Sequence, residues 1–266
     1  MRVKLIVSYD GADFIGWQRQ KKGRSVQGEL EKALRRLLGK GVSVQGAGRT
    51  DTGVHAVGQA AGFEADLRLP VCKLAFALNN LLPRDIRVVS ATEEAEDFHA
   101  RFSPSCKEYR YFMLPGQKSE PFLARYAWFC PRLADIAAAE KCVALLEGEH
   151  NFRSFCGKSS VVRSYVRTIY TAEFLQARPE DVPEILYRRA QAGEVFMLRL
   201  VGSGFIYKMV RLIAGALVKV GEGKLSAGEF AEYLAEPREQ PPAPAAPAAG
   251  LYLWGLDYLP AAEKNM

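Results

Sequence analysis

Cysteine and histidine are scarce in this chain, which has five cysteines and three histidines among its 266 residues. Because the cysteines are odd in number and no two of them stand in Cys-x-x-Cys spacing, we expect neither a disulfide framework nor a zinc site. The histidines are scattered, which also argues against a metal centre. The sequence therefore predicts free thiols in a reducing cytoplasm, at Cys72, Cys106, Cys130, Cys142 and Cys156.

The chain also lacks a long apolar run that is free of charge. Its longest apolar stretch, residues 205–220, contains Lys208, Arg211 and Lys219, so we do not expect it to span a membrane. The first five residues follow the alternation of a β-strand, and we therefore expect no secretory signal peptide. Both absences favour a cytoplasmic protein.

The composition suits a globular protein with a basic surface. The chain is 48% hydrophobic and long enough to bury a large core, and it could form two domains of modest size. Its net charge of +6 and pI near 9.0 suit a polyanionic partner such as a nucleic acid. Many ordinary basic proteins have the same balance of charge, so this signal is weak by itself.

The most informative stretch is polar and rich in glycine: Gly46-Ala47-Gly48-Arg49-Thr50-Asp51-Thr52-Gly53-Val54-His55-Ala56. Its three glycines allow positive φ or the close approach of another molecule, and its charged residues do not suit a core. The ordinary explanation is a hairpin connection with an aspartate in a turn. A dinucleotide or phosphate-binding loop is excluded because the third glycine and a following Gly-Lys-Ser/Thr are missing.

Asp51-Thr52-Gly53 is also the tripeptide of the aspartic proteases. That chemistry needs two carboxylates that share a proton, and the chain contains no second Asp-Thr-Gly or Asp-Ser-Gly. A homodimer would have to supply the second carboxylate. The large amount of helix predicted for this chain argues against such a protease subunit.

The hydrophobic periodicity of the first hundred residues predicts the order β-α-β-β-α-β, which is the ferredoxin-like arrangement. One helix is predicted between the candidate caps Ser25 and Gly39, and a second between Pro70 and Pro83. Strands are predicted at residues 3–7, 42–45, 57–63 and 86–92. The glycine-rich stretch then connects the second and third strands.

The second half repeats this order loosely. Strands are predicted at residues 107–114, 161–174, 195–201 and 251–259, with a weaker one at 185–187, and helices at 136–146, 205–220 and 230–234. We infer an α+β fold of two ferredoxin-like domains with antiparallel sheets, at 1–101 and 102–266. The Pro-Ala segment, residues 240–249, has the composition of a flexible linker, and the alternative is an ordered extended segment.

Two residues of the second half are candidates for a site. Arg211 lies in a predicted helix that is apolar on nearly every face, and a buried guanidinium is costly unless a carboxylate pairs with it. That partner is either an unremarkable glutamate or Asp51, unless Arg211 reaches the surface. Tyr109 lies on a predicted strand, where core packing is its ordinary role.

The glycine-rich stretch closely resembles the active-site loop of the tRNA pseudouridine synthase A family. The resemblance extends along the chain through further segments: Tyr9-Asp10-Gly11 with Phe14-Ile15-Gly16-Trp17-Gln18, Phe98 to Ser103, His150 to Phe155, Met209-Val210-Arg211 and Gly250-Leu251-Tyr252-Leu253. It implies a pseudouridine-synthase fold with a central basic cleft, a homodimer, and isomerisation of uridines 38, 39 and 40 in the anticodon stem-loop of tRNA.

The resemblance also implies roles for individual residues. Asp51 would be the catalytic carboxylate, Arg211 its partner, and Tyr109 the residue that stacks on the target base. Arg49 would contact the RNA and fill the gap that the extruded uridine leaves. Because the reaction is an isomerisation with no net redox change, we expect it to need neither a metal nor another cofactor.

Further RNA contacts are expected from basic and polar residues near these motifs. Basic clusters with neighbouring aromatics suit RNA, although each such residue also has an ordinary structural explanation. The expected contacts are Thr50, His55, Gln18, Lys21, Lys22, Arg24, Arg101, Lys107 and Arg163. The alternative from another class is a basic RNA-binding protein without catalysis, in which Asp51 is an ordinary turn residue.

Overall fold

The computed structural model describes residues 1–158 and 162–257, which form a mixed α+β structure. The strands are β1 (Arg2–Tyr9), β2 (Gln45–Gly46), β3 (His55–Glu64), β4 (Ile86–Glu94), β5 (Cys106–Pro115), β6 (Trp128–Cys130), β7 (Gly148–Asn151), β8 (Val166–Gln176), β9 (Phe196–Gly202) and β10 (Leu251–Asp257). The α-helices are α1 (Val26–Leu38), α2 (Val71–Asn79), α3 (Ile136–Ala144), α4 (Tyr187–Gln191), α5 (Met209–Gly221) and α6 (Ala227–Ala235).

The chain divides into two compact units. Among the described residues, the first unit is Met1–Lys107 together with residues 252–257, and the second unit is Glu108–Leu251. These units differ from the predicted ranges 1–101 and 102–266, because the chain returns to the first unit at its C-terminal strand. There β10 pairs in parallel with the beginning of β3, since Tyr252 lies opposite His55.

The first unit has the predicted element order, and its strands pair mainly antiparallel. β1 lies between β3 and β4 and is antiparallel to both, while β2 pairs antiparallel with β3. The caps predicted for α1 are confirmed: the hydroxyl of Ser25 accepts from the backbone N–H of Gly28, and Gly39 has a φ of 72°. Between them Leu30 and Leu34 are fully buried, and each such leucine contributes about 1.5–3 kcal/mol.

The strand predicted at 42–45 is largely wrong, because β2 has only two residues and begins where that prediction ends. Val44 is buried, but side chains of α1 bind its backbone in place of a neighbouring strand. Its N–H donates to Oε1 of Glu31 at 3.2 Å, and its carbonyl oxygen accepts from Nε2 of Gln27 at 2.9 Å. A sequence pattern reports that Val44 is buried but not which polar groups satisfy its backbone.

In the second unit the strand order is β5-β9-β8-β7, with β6 parallel to β5. β8 is antiparallel to both β7 and β9. α5 is the most buried helix, since eleven of its residues are buried. No helix within residues 1–158 and 162–257 is both long enough and apolar enough to cross a membrane.

Two strand predictions for the second half need correction. The strand predicted from 161 begins at Val166, because the Ser164 hydroxyl accepts from the Val166 N–H and forms a local turn instead. Val161 itself lies outside the described residues. The strand predicted at 185–187 is wrong: Leu186 donates to the carbonyl oxygen of Pro183, so this segment is a 3₁₀ turn that leads into α4. The sequence also missed the short strands β6 and β7.

The other second-half elements agree well with the sequence. β5, α3, β9 and α6 lie where they were predicted. β10 is described as far as Asp257, so the last two residues of the predicted strand 251–259 lie outside the described residues.

The helix predicted from residue 205 begins only at Met209. Lys208, the residue before it, has φ 60° and ψ 9°, and within the described residues no other non-glycine residue has positive φ. A right-handed helix cannot continue through a left-handed residue. The apolar pattern of residues 205–208 therefore belongs to a loop that packs on the core.

Because glycine adopts the left-handed region without steric cost, we expect Lys208→Gly to stabilise the fold by about 0.5–1 kcal/mol. Urea unfolding measures this change. Lys141→Gly in α3 is the matched control, since glycine inside a right-handed helix is expected to destabilise by about 1 kcal/mol. Equal destabilisation by both substitutions would mean that the backbone at Lys208 is not left-handed in solution.

The Pro-Ala segment is ordered and packs within the second unit, as the alternative prediction held. The backbone N–H of Ala246 donates to the carbonyl oxygen of Arg211 at 2.9 Å, and the Tyr111 hydroxyl donates to the carbonyl oxygen of Pro247 at 2.8 Å. A Cβ atom at Gly215 of α5 would lie 2.2 Å from the carbonyl oxygen of Pro244. A flexible linker would make none of these contacts.

Candidate active site

Asp51 lies in the loop between β2 and β3, and the backbone of this loop is held on both sides of it. The carbonyl oxygen of Thr50 accepts from the backbone N–H of Trp17 at 3.1 Å. The N–H of Gly53 donates to the carbonyl oxygen of Phe14 at 3.3 Å. Asp51 is half-buried between these two anchors. The segment that follows β1 thus fixes the position of the aspartate.

A buried polar layer lies beneath the loop. The hydroxyls of Tyr9 and Thr50 are 2.8 Å apart, and Nε2 of Gln59 donates to the carbonyl oxygen of Gly48 at 2.9 Å. Tyr9, Thr50 and Gln59 are all buried. Burial raises the pKa of Tyr9, so that its hydroxyl stays protonated. Since Thr50 is buried and bonded to Tyr9, the structure gives it a role in holding the loop.

The start of the loop is anchored by Lys107, which the sequence placed among the RNA contacts. Its Nζ donates to the carbonyl oxygen of Ala47 at 2.6 Å. The N–H of Ala47 donates in turn to the carbonyl oxygen of Ala60 in β3 at 2.8 Å. Lys107 therefore orders the same loop that carries Asp51.

Two glycines allow the segment after β1 to approach the loop closely. A Cβ atom at Gly11 would lie 1.9 Å from the carbonyl oxygen of Val54, and one at Gly16 would lie 2.5 Å from that of Thr50. Gly16 also has a φ of 106°. Any side chain at either position would push the backbone away from the loop.

We expect Gly11→Ala to destabilise the fold by about 2–3 kcal/mol, because the new methyl group can be accommodated only by moving the backbone at Val54. Turnover should fall together with stability. Gly255→Ala, at a position where a Cβ atom meets nothing within 4 Å, is the control and should change neither quantity. Thermal unfolding and an activity assay on both variants make the comparison, and a stable Gly11→Ala protein would contradict this account of the loop.

His55 is the first residue of β3 and is 1% exposed. The N–H of Gly11 donates to its Nδ1 at 3.1 Å, and its ring stacks on Tyr252 with the ring centres 4.6 Å apart. Oδ1 of Asp10 lies 3.2 Å from the same nitrogen, but we assign Nδ1 as the unprotonated acceptor because the Gly11 N–H points at it. Of the two roles predicted for His55, its burial favours the structural tie.

Two further predicted RNA contacts have structural partners. Arg24 forms a two-pronged ion pair with Asp85, at 2.5 and 2.8 Å, and its guanidinium lies over the ring of Phe14. This hydrogen bonding raises the pKa of Arg24. Nε2 of Gln18 donates to Oε1 of Gln27 in α1 at 2.7 Å. Gln18 thus ties the loop after β1 to α1, and Arg24 ties it to Asp85.

The other predicted RNA contacts are exposed. Arg49, Lys21, Lys22, Arg101 and Arg163 point to solvent, and none of them forms an ion pair within the residues that the structure describes. Arg49 therefore presents a positive charge two residues from Asp51.

Tyr109 lies on β5 in the second unit and is 8% exposed. Its ring meets that of Phe205 edge-on, with the ring centres 4.9 Å apart. Phe205 belongs to the loop that precedes α5. Tyr109 is thus buried and packed against the ring of its neighbour.

Arg211 lies in the first turn of α5 in the second unit and is half-buried. Its Nε donates to the carbonyl oxygen of Ala246 at 2.7 Å, and its own carbonyl oxygen accepts from the N–H of the same residue. Arg211 therefore fastens the Pro-Ala segment to the helix. The structure brings Tyr109 and Arg211 into one unit, and it brings Asp51, Arg49, Thr50 and His55 into the other.

The supporting roles of Tyr9 and Gln59 were not predicted from the sequence. Gln59 carries a weak signal, because it is a single polar residue among small apolar ones in a strand that is buried on both faces. Tyr9 stands in one of the segments that carry the resemblance, but its residue type gives no further signal, since a strand aromatic is ordinarily a core residue. Their partners come from the loop at 48–50, which only the folded chain brings near.

Comparison with known proteins gives a consistent family. Residues 5–103 and 142–259 match the family described as tRNA pseudouridine synthase. A protein named tRNA pseudouridine synthase A from Anoxybacillus flavithermus is 41% identical over 259 residues, which cover 97% of this chain and 98% of that protein. Proteins of the same name from Bacillus licheniformis and Listeria welshimeri are each 40% identical, and the matches cover 97% of this chain and 99% of each relative.

Proposed function

We infer that this chain, which belongs to the tRNA pseudouridine synthase family, isomerises uridine to pseudouridine in tRNA with Asp51 as its catalytic carboxylate. The family membership rests on similarity along nearly the whole chain. The observation that carries the role of Asp51 is its loop, whose backbone is held by Trp17 on one side and Phe14 on the other. A reactive group on such a rigid support needs little reorganisation before it reacts.

The reaction exchanges one bond to the ribose for another. The bond from N1 of uracil to C1′ breaks, the detached base turns, and C5 forms the new bond to C1′. C5 loses a proton and N1 gains one, so the product is an isomer and nothing is oxidised or reduced. The Asp51 carboxylate is suited to any one of three alternative roles: attack on C1′, attack on C6, or removal of a proton from the sugar.

We propose that three further residues act with Asp51. Tyr109 stacks on the target base, Arg211 pairs with the Asp51 carboxylate and keeps it ionised, and Arg49 fills the space that the extruded uridine leaves. Extrusion of a base costs a few kcal/mol, and stacking on an aromatic ring offsets about 1–3 kcal/mol of this cost. The resemblance to the family motifs and the exposure of Arg49 support these assignments.

The proposed substrate sites are uridines 38, 39 and 40 in the anticodon stem-loop. Lys21, Lys22, Arg101 and Arg163 are exposed and suited to the phosphates of the tRNA. Their contacts would make binding sensitive to salt.

We also propose the fold, the oligomeric state and the location of the enzyme. The chain forms two ferredoxin-like domains with a basic cleft, it assembles as a homodimer, and it acts in the cytoplasm. The element order of the first unit supports the domain proposal. All five cysteines are free thiols, which supports a reducing compartment. The full-length similarity favours this function over an aspartic protease or a non-catalytic RNA-binding protein.

Transcripts with changed anticodon arms test the proposed positions. We expect tritium release from tRNA labelled at C5 of uridine, and we expect the release to stop when residues 38, 39 and 40 of the transcript are all cytidine. Release that continues from such a transcript would place the target uridine elsewhere in the tRNA.

A further inference from the structure

The second unit carries two basic side chains and an exposed tyrosine that the proposed reaction does not use. Arg167, Tyr207 and Lys208, which we call the Arg167 patch, lie around the loop that joins β9 to α5. The same loop contains Phe205, whose ring packs against Tyr109. The patch therefore adjoins the residue proposed to stack on the target base.

Arg167 is partly withdrawn from water, and no carboxylate among the described residues pairs with it. Its Nη1 donates to the carbonyl oxygens of Ser164 and Val166 at 3.0 and 2.5 Å, and the Cβ position of Gly204 lies 3.7 Å from its Nε. Burial lowers the pKa of this guanidinium. Within the described residues Arg167 forms no ion pair, so none of their carboxylates balances its charge.

Lys208 is the second cation of the patch. It has a φ of 60°, and its Nζ lies 5.1 Å from the centre of the Tyr207 ring. Tyr207 is 40% exposed, and its carbonyl oxygen accepts from the N–H of Gly157 at 2.9 Å. In the described part of the chain no carboxylate pairs with Lys208. Lys208 is half-buried, and its ammonium group lies beside the exposed ring of Tyr207.

The two cations lie at the same loop, which joins β9 to α5. The Cβ position of Gly204 in this loop lies 3.7 Å from Nε of Arg167, and the Cβ position of Gly157 lies 3.4 Å from Cδ of Lys208. Two unbalanced positive charges and an exposed aromatic ring are together typical of a contact with nucleic acid. An arginine and a lysine both bind phosphate oxygens strongly, the arginine through its fork and the lysine as a point charge.

We propose that Arg167 and Lys208 bind a backbone phosphate of the RNA substrate next to the nucleotide that stacks on Tyr109. This inference rests on the proposed function, because it takes tRNA as the ligand. The two residues are positioning residues: they hold the strand while Asp51 acts on the uridine. Since a phosphate contact is the same before and during the reaction, its loss raises KM and leaves kcat nearly unchanged.

The test uses Lys208→Gln, Arg167→Gln and the double variant of the full chain, with unmodified tRNA transcript as the probe. Glutamine keeps the backbone of residue 208 as it is and removes only the charge. We expect Kd to rise about tenfold for each substitution, and the slope of log Kd against log salt to fall by about one for each. Lys141→Gln, an exposed charge removed from α3, is the matched control and should change neither.

Lys208→Gly is a second variant that separates binding from folding. It is expected to fold more stably than the wild type and yet bind tRNA about tenfold more weakly. Weaker binding by a more stable protein supports a ligand contact, since a purely structural role would move both quantities in the same direction.

The outcomes distinguish this proposal from the proposed function. If wild type releases tritium but the double variant keeps the Kd and salt slope of Lys141→Gln, the phosphate site is wrong and the function stands. If the double variant changes the oligomeric state and not the salt slope, the patch is a protein contact and the proposal is overturned. If wild type binds tRNA without turnover, the proposed function fails, and a reduced salt slope in the double variant still assigns the phosphate contact.

Discussion

Asp51→Asn is expected to lower turnover by at least about 10³-fold while the affinity for tRNA changes by less than about threefold. Asparagine has nearly the same shape as aspartate, but it is neither a nucleophile nor a base at neutral pH. The loop is held through backbone groups of Thr50 and Gly53, and the substitution leaves these bonds in place. Turnover at saturating tRNA and a separate binding titration measure the two effects.

Asp66→Asn is the matched control for this prediction. Asp66 is a carboxylate in the same unit whose side chain is 95% exposed, so its loss should change neither turnover nor affinity. Turnover by Asp51→Asn within about tenfold of wild type would remove Asp51 from the mechanism. An equal loss of affinity and turnover would instead make Asp51 a binding residue.

Arg211→Met is expected to lower kcat by about 10²- to 10³-fold, because the proposed partner of the Asp51 carboxylate is lost. Methionine suits the apolar surroundings of α5 and favours a helix. The hydrogen bond from Nε to the carbonyl oxygen of Ala246 is lost as well, which costs about 1 kcal/mol of stability. Steady-state kinetics and urea unfolding of the same preparation separate the catalytic effect from the structural one.

A double variant tests whether Arg211 acts through Asp51. If Arg211 acts through Asp51, Arg211→Met should lower turnover little further in the Asp51→Asn background. The carboxylate charge with which Arg211 is proposed to pair is already absent there. Additive losses would mean that Arg211 acts independently of Asp51. A normal kcat in Arg211→Met, together with lowered stability, would assign Arg211 only to the Pro-Ala segment.

The sequence predicted well those elements whose signals are local. α1 has its N-cap at Ser25, its C-cap at Gly39 and its apolar face between them, so its bounds follow from neighbouring residues. The strand predicted at 42–45 failed for the opposite reason. The backbone N–H and carbonyl of Val44 bond to the side chains of Glu31 and Gln27 in α1. The residues around Val44 give no signal of this contact with a helix distant in sequence.

A single backbone angle explains the other large error. The apolar pattern at 205–208 continues that of α5, and only the left-handed conformation of Lys208 separates the loop from the helix. Lysine does not favour the left-handed conformation, so the residue type at position 208 does not predict it. The tertiary contact between Gly157 and the carbonyl oxygen of Tyr207 belongs to the same loop.

In the candidate site too, residues of a contiguous motif can be predicted from the sequence, and residues that only the fold brings together cannot. Asp51 and Arg49 stand in a contiguous motif, and the sequence identifies them directly. Lys107 was predicted as an RNA contact, yet its Nζ binds the carbonyl oxygen of Ala47 and so supports the loop. The layer beneath Asp51, with Tyr9 and Gln59, is formed by residues distant in sequence, and only the fold reveals it.

Tritium release from C5-labelled uridine in unmodified tRNA, with wild type beside Asp51→Asn, tests the central claim most directly. Formation of the bond between C5 and C1′ must expel the hydrogen at C5, so release reports the isomerisation itself. We predict release by wild type, no release by Asp51→Asn, and tRNA binding by both. Salt-dependent binding of tRNA by wild type without any release would contradict the claim.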